Sequence, residues 1–323
     1  GVIVILNSIM YRVIKLTFLI LILTAGLTIT GCARPAESFA TPLPPTLTPF
    51  QPPPPTATIT PTATITPTST ATPTETATAT SLPTDTPAPV EVEPIQVDPE
   101  VVDSGSITVP ILLYHHVSDT LQSQYSVTTD TLAEQMEWLH NNGYTTINIS
   151  DLAGLIREGG SIPGRPVVIT FDDGYLDVYQ NAFPILNQYG FVATFFIIGE
   201  TVDTRGNISA DQLSELIDNG WEIGSHSMHH TDLTQGIGWE EEIVSSKYYL
   251  ENKLGVEIQT FAYPYGEADS SVINYTYNAG YTSAVGLGSS VTHDRSTLYY
   301  LSRKEVKSWY TLDFFEDFLP WSG

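Results

Sequence analysis

The amino-acid sequence predicts an α/β fold in which parallel strands alternate with helices and close into a barrel. Two observations lead to this prediction. Along residues 106–323, short apolar runs alternate with segments of helical periodicity, which is the pattern of repeated strand–helix units. Two carboxylates, Asp172 and Asp173, directly follow one of the apolar runs. Functional groups occupy this position in parallel barrels, at the carboxyl ends of the strands.

The residues before this barrel pattern predict no globular core. Residues 1–32 combine a basic start with a short apolar stretch and the ending ITGC, which together indicate a signal peptide. That ending resembles the bacterial lipobox, so Cys32 is the expected lipidation site; a secreted protein and an uncleaved anchor are the alternatives. Residues 33–105 are rich in proline and threonine and predict a disordered linker. We therefore expect an extracytoplasmic monomer, displayed at the cell surface and held to a bacterial membrane only by its lipid.

Apolar runs define the predicted strands of the barrel. They cover residues 111–114, 167–171, 192–198, 221–224, 260–263 and 283–286. The run at 167–171, VVITF, is of the kind that is buried in a protein core. Segments of helical period separate most of the runs, so we expect neighbouring strands to be parallel.

The predicted helices carry apolar residues on one face and begin at capping residues. The first is expected to start at Thr129 or Asp130 and to end before Gly143. Ser209 and Gln212 form the pattern of a capping box at the start of another helix. The remaining predicted helices cover residues 151–158, with Ser150 as the cap, 182–189, 240–254 and 270–279.

The adjacent carboxylates Asp172 and Asp173 need compensation. Like charges repel each other and resist burial, so neutralisation, hydrogen bonding or a cation must stabilise them. His226 and His230 follow another predicted strand, and their spacing puts both imidazoles on one face of a helical turn. Two histidines and one carboxylate are a usual ligand set for a catalytic divalent metal. The alternative interpretation is that His226 and His230 are ordinary solvated histidines on the surface.

These residues belong to motifs that resemble those of a known family. The stretches TFDDGY, GSHSMHH and FAYPYG are similar to three motifs of the polysaccharide deacetylases, the NodB-homology enzymes that are like carbohydrate esterase family 4. The run ILLYHHV resembles the opening strand of the branch that acts on poly-N-acetylglucosamine. The resemblance implies a distorted (β/α) barrel and metal-dependent hydrolysis of N-acetyl groups.

The resemblance also implies a role for each motif residue. Asp173, His226 and His230 are expected to bind the metal, which is expected to be Zn²⁺, with Co²⁺, Ni²⁺ or Fe²⁺ as alternatives. Asp172 is the expected general base. The backbone N–H of Tyr265 is expected to stabilise the oxyanion.

The sequence departs from the family pattern at two catalytic positions, besides a minor change at Thr231. Ala262 stands where the third motif usually has an arginine that orients the base. Arg303 stands where a histidine usually acts as the general acid, and arginine cannot donate a proton near neutral pH. His115, at the end of the first predicted strand, is the preferred acid, ahead of His229 and His293.

The remaining assignments concern the substrate groove. Tyr175, Pro264 and Arg303 are the expected substrate-binding residues, because they lie in or beside the motifs. His116 and His140 are expected to be ordinary surface histidines.

Charge narrows the choice of partner. The formal net charge of −24 argues against nucleic acid and anionic polymers. The expected substrate is a polysaccharide that contains N-acetylglucosamine, with an exopolysaccharide as first choice and peptidoglycan or a chitin-like polymer next. Two alternatives remain, an esterase that removes O-acetyl groups from xylan and a catalytically weak carbohydrate-binding module. Ala262 and Arg303 favour the binding module.

Overall fold

The computed structural model describes residues 95–121, 123–317 and 319–321. The expected signal peptide, with Cys32, and most of the expected linker lie outside the described residues. None of the helices within those ranges combines the length and the apolar composition that a membrane crossing needs.

Seven parallel strands in the described part of the chain close into a barrel, which confirms the predicted fold class. They are β1 (Ile111–Tyr114), β2 (Pro166–Phe171), β3 (Thr194–Ile197), β4 (Glu222–Ser225), β5 (Thr260–Ala262), β6 (Ser283–Leu287) and β7 (Leu301–Glu305). Consecutive strands are neighbours, and the ring closes where β1 pairs with both β2 and β7. The apolar runs locate β1 to β6. The last strand is not an apolar run, because its sequence is LSRKE.

The first six helices in the described part of the chain lie close to their predicted positions, and the seventh was not predicted. They are α1 (Thr129–Asn141), α2 (Ile149–Glu158), α3 (Phe183–Gln188), α4 (Ala210–Asp218), α5 (Ser246–Leu254), α6 (Ser270–Asn278) and α7 (Leu312–Glu316). The π-helical segments Val178–Ala182 and Glu240–Ser245 precede α3 and α5. Ser209 caps α4 as predicted, but Thr128 and Asn148 cap α1 and α2.

The residues just before the barrel are part of the folded unit. The strand Glu100–Val102 pairs antiparallel with Gly160–Ile162, and the Ile95 N–H donates to the Asn141 carbonyl over 3.1 Å. Val97 fills the space that a side chain at Gly164 would need. The fold therefore extends before the expected boundary at residue 106.

The other short strands lie outside the barrel ring. Ile107–Thr108 pairs with Thr292–His293, His116–Val117 pairs with Ser126–Val127, and Thr145–Thr146 lies beside β2.

A cluster of buried apolar residues fills the barrel and extends into α2. It includes Phe196, Ala262 and Val285 from the strands and Leu152 and Ile156 from the helix. A larger cluster packs the outer faces of the strands against the surrounding helices. The residues that alternate along each strand therefore serve the two clusters in turn.

One partly buried carboxylate lies where α2 meets the strands. Glu222, at the start of β4, accepts hydrogen bonds from the hydroxyls of Thr194 (2.9 Å) and Thr260 (3.0 Å) and from the backbone N–H of Ser150 (3.1 Å). Burial raises the pKa of Glu222, and these three hydrogen bonds oppose the rise. Glu222 therefore links β3, β4 and β5 to the first turn of α2.

Glu222→Ala should lower the free energy of unfolding by about 3 kcal/mol, because it leaves the buried hydroxyls of Thr194 and Thr260 and the partly buried N–H of Ser150 without an acceptor. A group whose pKa is raised by folding stabilises most below its unfolded pKa. The loss should therefore be larger below the ordinary glutamate value of 4.5 than at neutral pH. Urea denaturation at both pH values measures it. Glu134→Ala, at an exposed position of α1, is the control and should change stability by less than about 0.5 kcal/mol. Equal losses for both variants would contradict the assigned role.

Candidate active site

A cavity of about 370 Å³ lies at the carboxyl ends of the barrel strands. Most of the residues selected from the sequence line it, namely His115, Asp172, Asp173, Tyr175, His226, His230, Tyr265 and Arg303. They follow or belong to β1, β2, β4, β5 and β7, so closure of the barrel brings together residues that are distant in sequence.

Asp173, His226 and His230 form a compact group of possible metal ligands. One donor atom from each lies within 4.8 Å of the others. The Asp173 Oδ1 is 3.5 Å from the His226 Nε2 and 3.7 Å from the His230 Nε2. Ligands of a tetrahedral zinc ion, each about 2.0–2.1 Å from it, lie about 3.3–3.5 Å apart. The spacing of these atoms therefore fits a shared divalent cation.

A backbone contact orients one of these histidines. The Nδ1 of His226 lies 2.8 Å from the Ala262 carbonyl oxygen, which can only accept a hydrogen bond. The Nδ1 must therefore carry the proton, and in the neutral ring the Nε2 has its lone pair free on the side of Asp173. Such an arrangement is common for histidines that bind metals.

The backbone between the two histidines is not helical, so that part of the sequence prediction was wrong. His226 follows β4 directly, and Ser227 (φ 68°) and His230 (φ 59°) adopt left-handed conformations. The Ser227 hydroxyl accepts the His230 N–H over 2.8 Å. This tight loop, rather than one helical face, brings the two rings within 4.7 Å of each other.

Asp172 forms a buried ion pair with Arg303. The guanidinium donates to both carboxylate oxygens, over 2.7 and 2.8 Å, and the two residues are 2% and 1% exposed. Burial alone would raise the pKa of Asp172, but the positive charge of Arg303 outweighs it and lowers the pKa to about 2. Asp172 is therefore ionised at neutral pH.

The position of Arg303 bears on two expectations. Its buried guanidinium is engaged by Asp172 and, through Nε, by the Gly286 carbonyl, which favours an internal role over the expected contact with substrate. The guanidinium also lies 5.4 Å from the centre of the Phe196 ring, which packs in the same interior cluster as Ala262. The arginine that the family pattern places on β5 is thus replaced by one on β7.

Only one of the three candidate acids lines the cavity. His115 does, and its Nδ1 lies 4.0 Å from Glu305. Burial lowers the pKa of His115, and nearby carboxylates, Asp172 first, oppose that effect. His229 instead pairs with Glu242 over 2.9 Å, and His293 lies 3.2 Å from the Val109 carbonyl.

The third motif supplies one of its two expected residues, Tyr265, to the lining of the cavity. Tyr265 has a left-handed backbone (φ 60°), is 59% exposed and donates its hydroxyl hydrogen to the His230 carbonyl over 3.3 Å. Pro264 is buried and is not among the residues that line the cavity, so its expected contact with substrate stays a prediction. Its rigid ring instead starts the turn that presents Tyr265.

Sequence reasoning missed the environment of His116, which is not an ordinary surface residue. Its ring stacks on Tyr175, with 3.6 Å between ring centres, and its Nδ1 pairs with Asp177 over 2.7 Å. Tyr125 and Glu305 also line the cavity without any motif to mark them. The one available signal was the position of His116 at the end of a predicted strand.

Comparison with known proteins shows that this chain is similar to polysaccharide deacetylases. The family model described as polysaccharide deacetylase matches residues 159–284. A Bacillus subtilis protein named as a polysaccharide deacetylase is 29% identical over 199 residues, which cover 61% of this chain and 71% of that protein. The poly-β-1,6-N-acetyl-D-glucosamine N-deacetylase of Escherichia coli K12 is 28% identical over 215 residues. That match covers 52% of this chain but only 32% of the enzyme.

The fold has similar solved structures. A crystal structure from Bacillus anthracis, described as a polysaccharide deacetylase, aligns with a TM-score of 0.60 and 27% sequence identity. The alignment covers 66% of this chain and 69% of the other. The barrel fold is therefore shared with proteins of that description.

His226→Ala should weaken Zn²⁺ binding by about 100-fold or more, because it removes one ligand from the group of three. Competition with a chromogenic chelator measures the affinity. His229→Ala is the matched control from the same loop and should bind Zn²⁺ as the wild type does, because His229 faces Glu242. A wild-type affinity in His226→Ala would refute the assignment.

Arg303→Met should lower the free energy of unfolding by about 3–5 kcal/mol, because it leaves the buried Asp172 carboxylate without its partner. The double variant Asp172→Leu/Arg303→Met should recover most of that loss, because neither charge remains. Urea denaturation of the chelator-treated protein gives all the values of this double-mutant cycle. A loss below about 1 kcal/mol in Arg303→Met would mean that the pair does not stabilise the buried carboxylate.

Proposed function

This chain carries a polysaccharide deacetylase domain, and from that premise we propose that it hydrolyses N-acetyl groups of a polysaccharide that contains N-acetylglucosamine. The observation that carries the proposal is the pairing of two carboxylates with different partners. Asp172 is fixed by Arg303, while Asp173 faces His226 and His230 in an open cavity.

Asp173, His226 and His230 would hold the divalent cation, for which Zn²⁺ is the first choice and Co²⁺, Ni²⁺ and Fe²⁺ are alternatives. When bound, the cation would supply Lewis acidity towards the acetyl carbonyl and lower the pKa of water. The chain contributes the orientation of the ligands, through the contact of His226 with the Ala262 carbonyl and of His230 with the Ser227 hydroxyl.

Asp172 would orient the attacking water and accept its proton. Its pKa of about 2 keeps it ionised and also makes it a weak base, so positioning is an important part of its contribution. The two hydrogen bonds from Arg303 fix the plane of the carboxylate. Arg303 is therefore a positioning residue in this proposal.

Two further residues would act on the acetyl group and on the leaving amine. The backbone N–H of Tyr265 would stabilise the developing oxyanion, and the left-handed turn at this residue holds it beside the cavity. His115 would donate a proton to the leaving amine. Its lowered pKa makes it a stronger acid than an ordinary imidazolium but leaves it mostly unprotonated near neutral pH, so it would first take up that proton from solvent.

Among possible substrates, poly-β-1,6-N-acetylglucosamine is the first choice, because the relative from E. coli is named as a deacetylase of that polymer. Peptidoglycan and chitin-like polymers come next, and the O-acetyl groups of xylan are a further possibility. The expected lipobox at Cys32 supports an anchor outside the cytoplasm, and we propose that the protein is a monomer. The alternative of a binding module rested partly on Ala262, and the ion pair of Arg303 with Asp172 weakens that argument.

The test is acetate release from N-acetylglucosamine oligomers by the metal-loaded full chain. Asp172→Asn should lower kcat by about 100-fold or more, since it removes the proposed base. Asp211→Asn, at an exposed position of α4, is the matched control and should leave kcat unchanged. A chelator should abolish the activity of the wild type.

Failure of the folded, metal-loaded protein to release acetate from N-acetylated oligomers would overturn the proposal. If the same preparation deacetylated O-acetylated xylan, the esterase reading would replace it. If it bound oligomers but hydrolysed neither class of substrate, the binding module would replace it.

A further inference from the structure

A buried carboxylate that the proposed mechanism does not use contacts the loop between His226 and His230. It belongs to Glu242, which lies in the π-helical segment Glu240–Ser245 and is only 4% exposed. Glutamate is rarely buried without partners, and π-helical turns are rare and are often found at functional sites. The partners of Glu242 therefore indicate why the chain buries a charge at this position.

Both carboxylate oxygens of Glu242 contact the same residue of that loop. The His229 backbone N–H donates to the Glu242 Oε2 over 2.9 Å, and the His229 Nδ1 lies 2.9 Å from the Oε1. The Ser227 hydroxyl is a further hydrogen-bond partner. Burial alone would raise the pKa of Glu242, but these hydrogen bonds lower it. The carboxylate is therefore ionised at neutral pH and acts only as an acceptor.

The Ser227 hydroxyl connects Glu242 to His230. A hydroxyl has one hydrogen to donate, and the ionised carboxylate can only accept it. The Ser227 oxygen in turn accepts the His230 N–H over 2.8 Å. Ser227 is fully buried, and both it and His230 have left-handed backbones. Such conformations persist in residues other than glycine only where the surroundings hold them, and Glu242 supplies part of that restraint.

The other contacts of the loop are made by backbone groups that follow β3. The Gly199 N–H donates to the Ser227 carbonyl and the Glu200 N–H donates to the Met228 carbonyl, each over 3.0 Å. These contacts engage carbonyl groups of the loop, whereas Glu242 accepts hydrogen bonds from its donors. Loss of the Glu242 carboxylate would therefore release the donors and leave the carbonyl contacts in place.

We propose that Glu242 is a positioning residue for the metal site, where it holds the loop in the conformation that places His226 and His230 beside Asp173. The inference rests on the proposed function, since that function requires the cation. Outer partners that orient metal ligands commonly change metal affinity by about 10–100-fold when they are removed. Glu242 lies 13 residues after His229 and outside the motif that contains the two histidines.

The test measures the Zn²⁺ affinity of the full chain by competition with a chromogenic chelator. Glu242→Ala should weaken binding by about tenfold or more. Glu242→Gln should bind within about threefold of the wild type, because its amide oxygen can still accept a hydrogen bond from the loop. Glu241→Ala is the matched control from the adjacent, exposed position and should bind as the wild type does. His229→Ala keeps the backbone N–H that donates to Glu242, so it should not share the loss.

Two further measurements distinguish positioning from a purely structural role. The visible spectrum of the Co²⁺-loaded protein reports ligand geometry, and it should change in Glu242→Ala but not in Glu241→Ala. Urea denaturation of the chelator-treated protein reports stability separately. A loss of stability in Glu242→Ala with the Zn²⁺ affinity and Co²⁺ spectrum of the wild type would overturn the proposal.

A second variant covers the case in which Glu242→Ala does not fold. Glu242→Asp keeps the charge but withdraws the carboxylate from the loop by one methylene group, so it should weaken Zn²⁺ binding by about threefold or more. Wild-type affinity in that variant would equally overturn the proposal.

Acetate release from N-acetylglucosamine oligomers separates failure of this inference from failure of the proposed function. Weaker Zn²⁺ binding in Glu242→Ala, with no acetate released by the loaded wild type, would support the positioning role and refute the deacetylase. Acetate release by the wild type, with equal Zn²⁺ affinities in the wild type and Glu242→Ala, would support the deacetylase and refute the positioning role. A wild type that binds no divalent cation would refute both.

Discussion

The ion pair between Arg303 and Asp172 is what allows two adjacent carboxylates to stand at the end of a buried strand. Asp172 is almost fully buried, and without a cation it would be protonated or would resist burial. Arg303 reaches it from β7, on the other side of β1 in the ring. His115, at the end of β1, therefore sits between the strands that supply the two charges. The site is therefore complete only when the barrel is closed.

The two ends of the barrel are built differently. At the carboxyl end the strands leave a polar groove, and its side chains face one another across open space. The interior apolar cluster joins the strands to α2, and Glu222 joins the start of β4 to the first turn of that helix. Residues 95–102 pack beside the segments that precede β2, so the chain enters the fold away from the groove.

Much of the fold could be predicted from the sequence, because the strands buried on both faces are apolar runs. The last strand, β7, could not, because its inward position is occupied by Arg303 and its other residues are largely polar. The sequence correctly predicted that His226 and His230 lie together, but the backbone conformation that it predicted was wrong. Spacing alone does not distinguish a helical turn from a tight loop. The partner of Asp172 is 131 residues away, and only the closed barrel brings the two together.

The departure from the family pattern at Ala262 shows that the loss of one motif residue does not by itself indicate the loss of function. Orientation of Asp172 requires a guanidinium within hydrogen-bonding distance, and more than one inward strand position can supply it. Here Arg303 on β7 meets that requirement, while Ala262 on β5 offers only a methyl group at the corresponding position. Buried ion pairs are often no more stabilising than apolar residues of similar volume, so stability alone gives little reason to keep one. A module that only bound sugars would not need an ionised carboxylate at this depth. The proposed hydrolase would need it, beside the proposed cation site and at a fixed orientation, and this requirement would account for a costly charge at the end of β2.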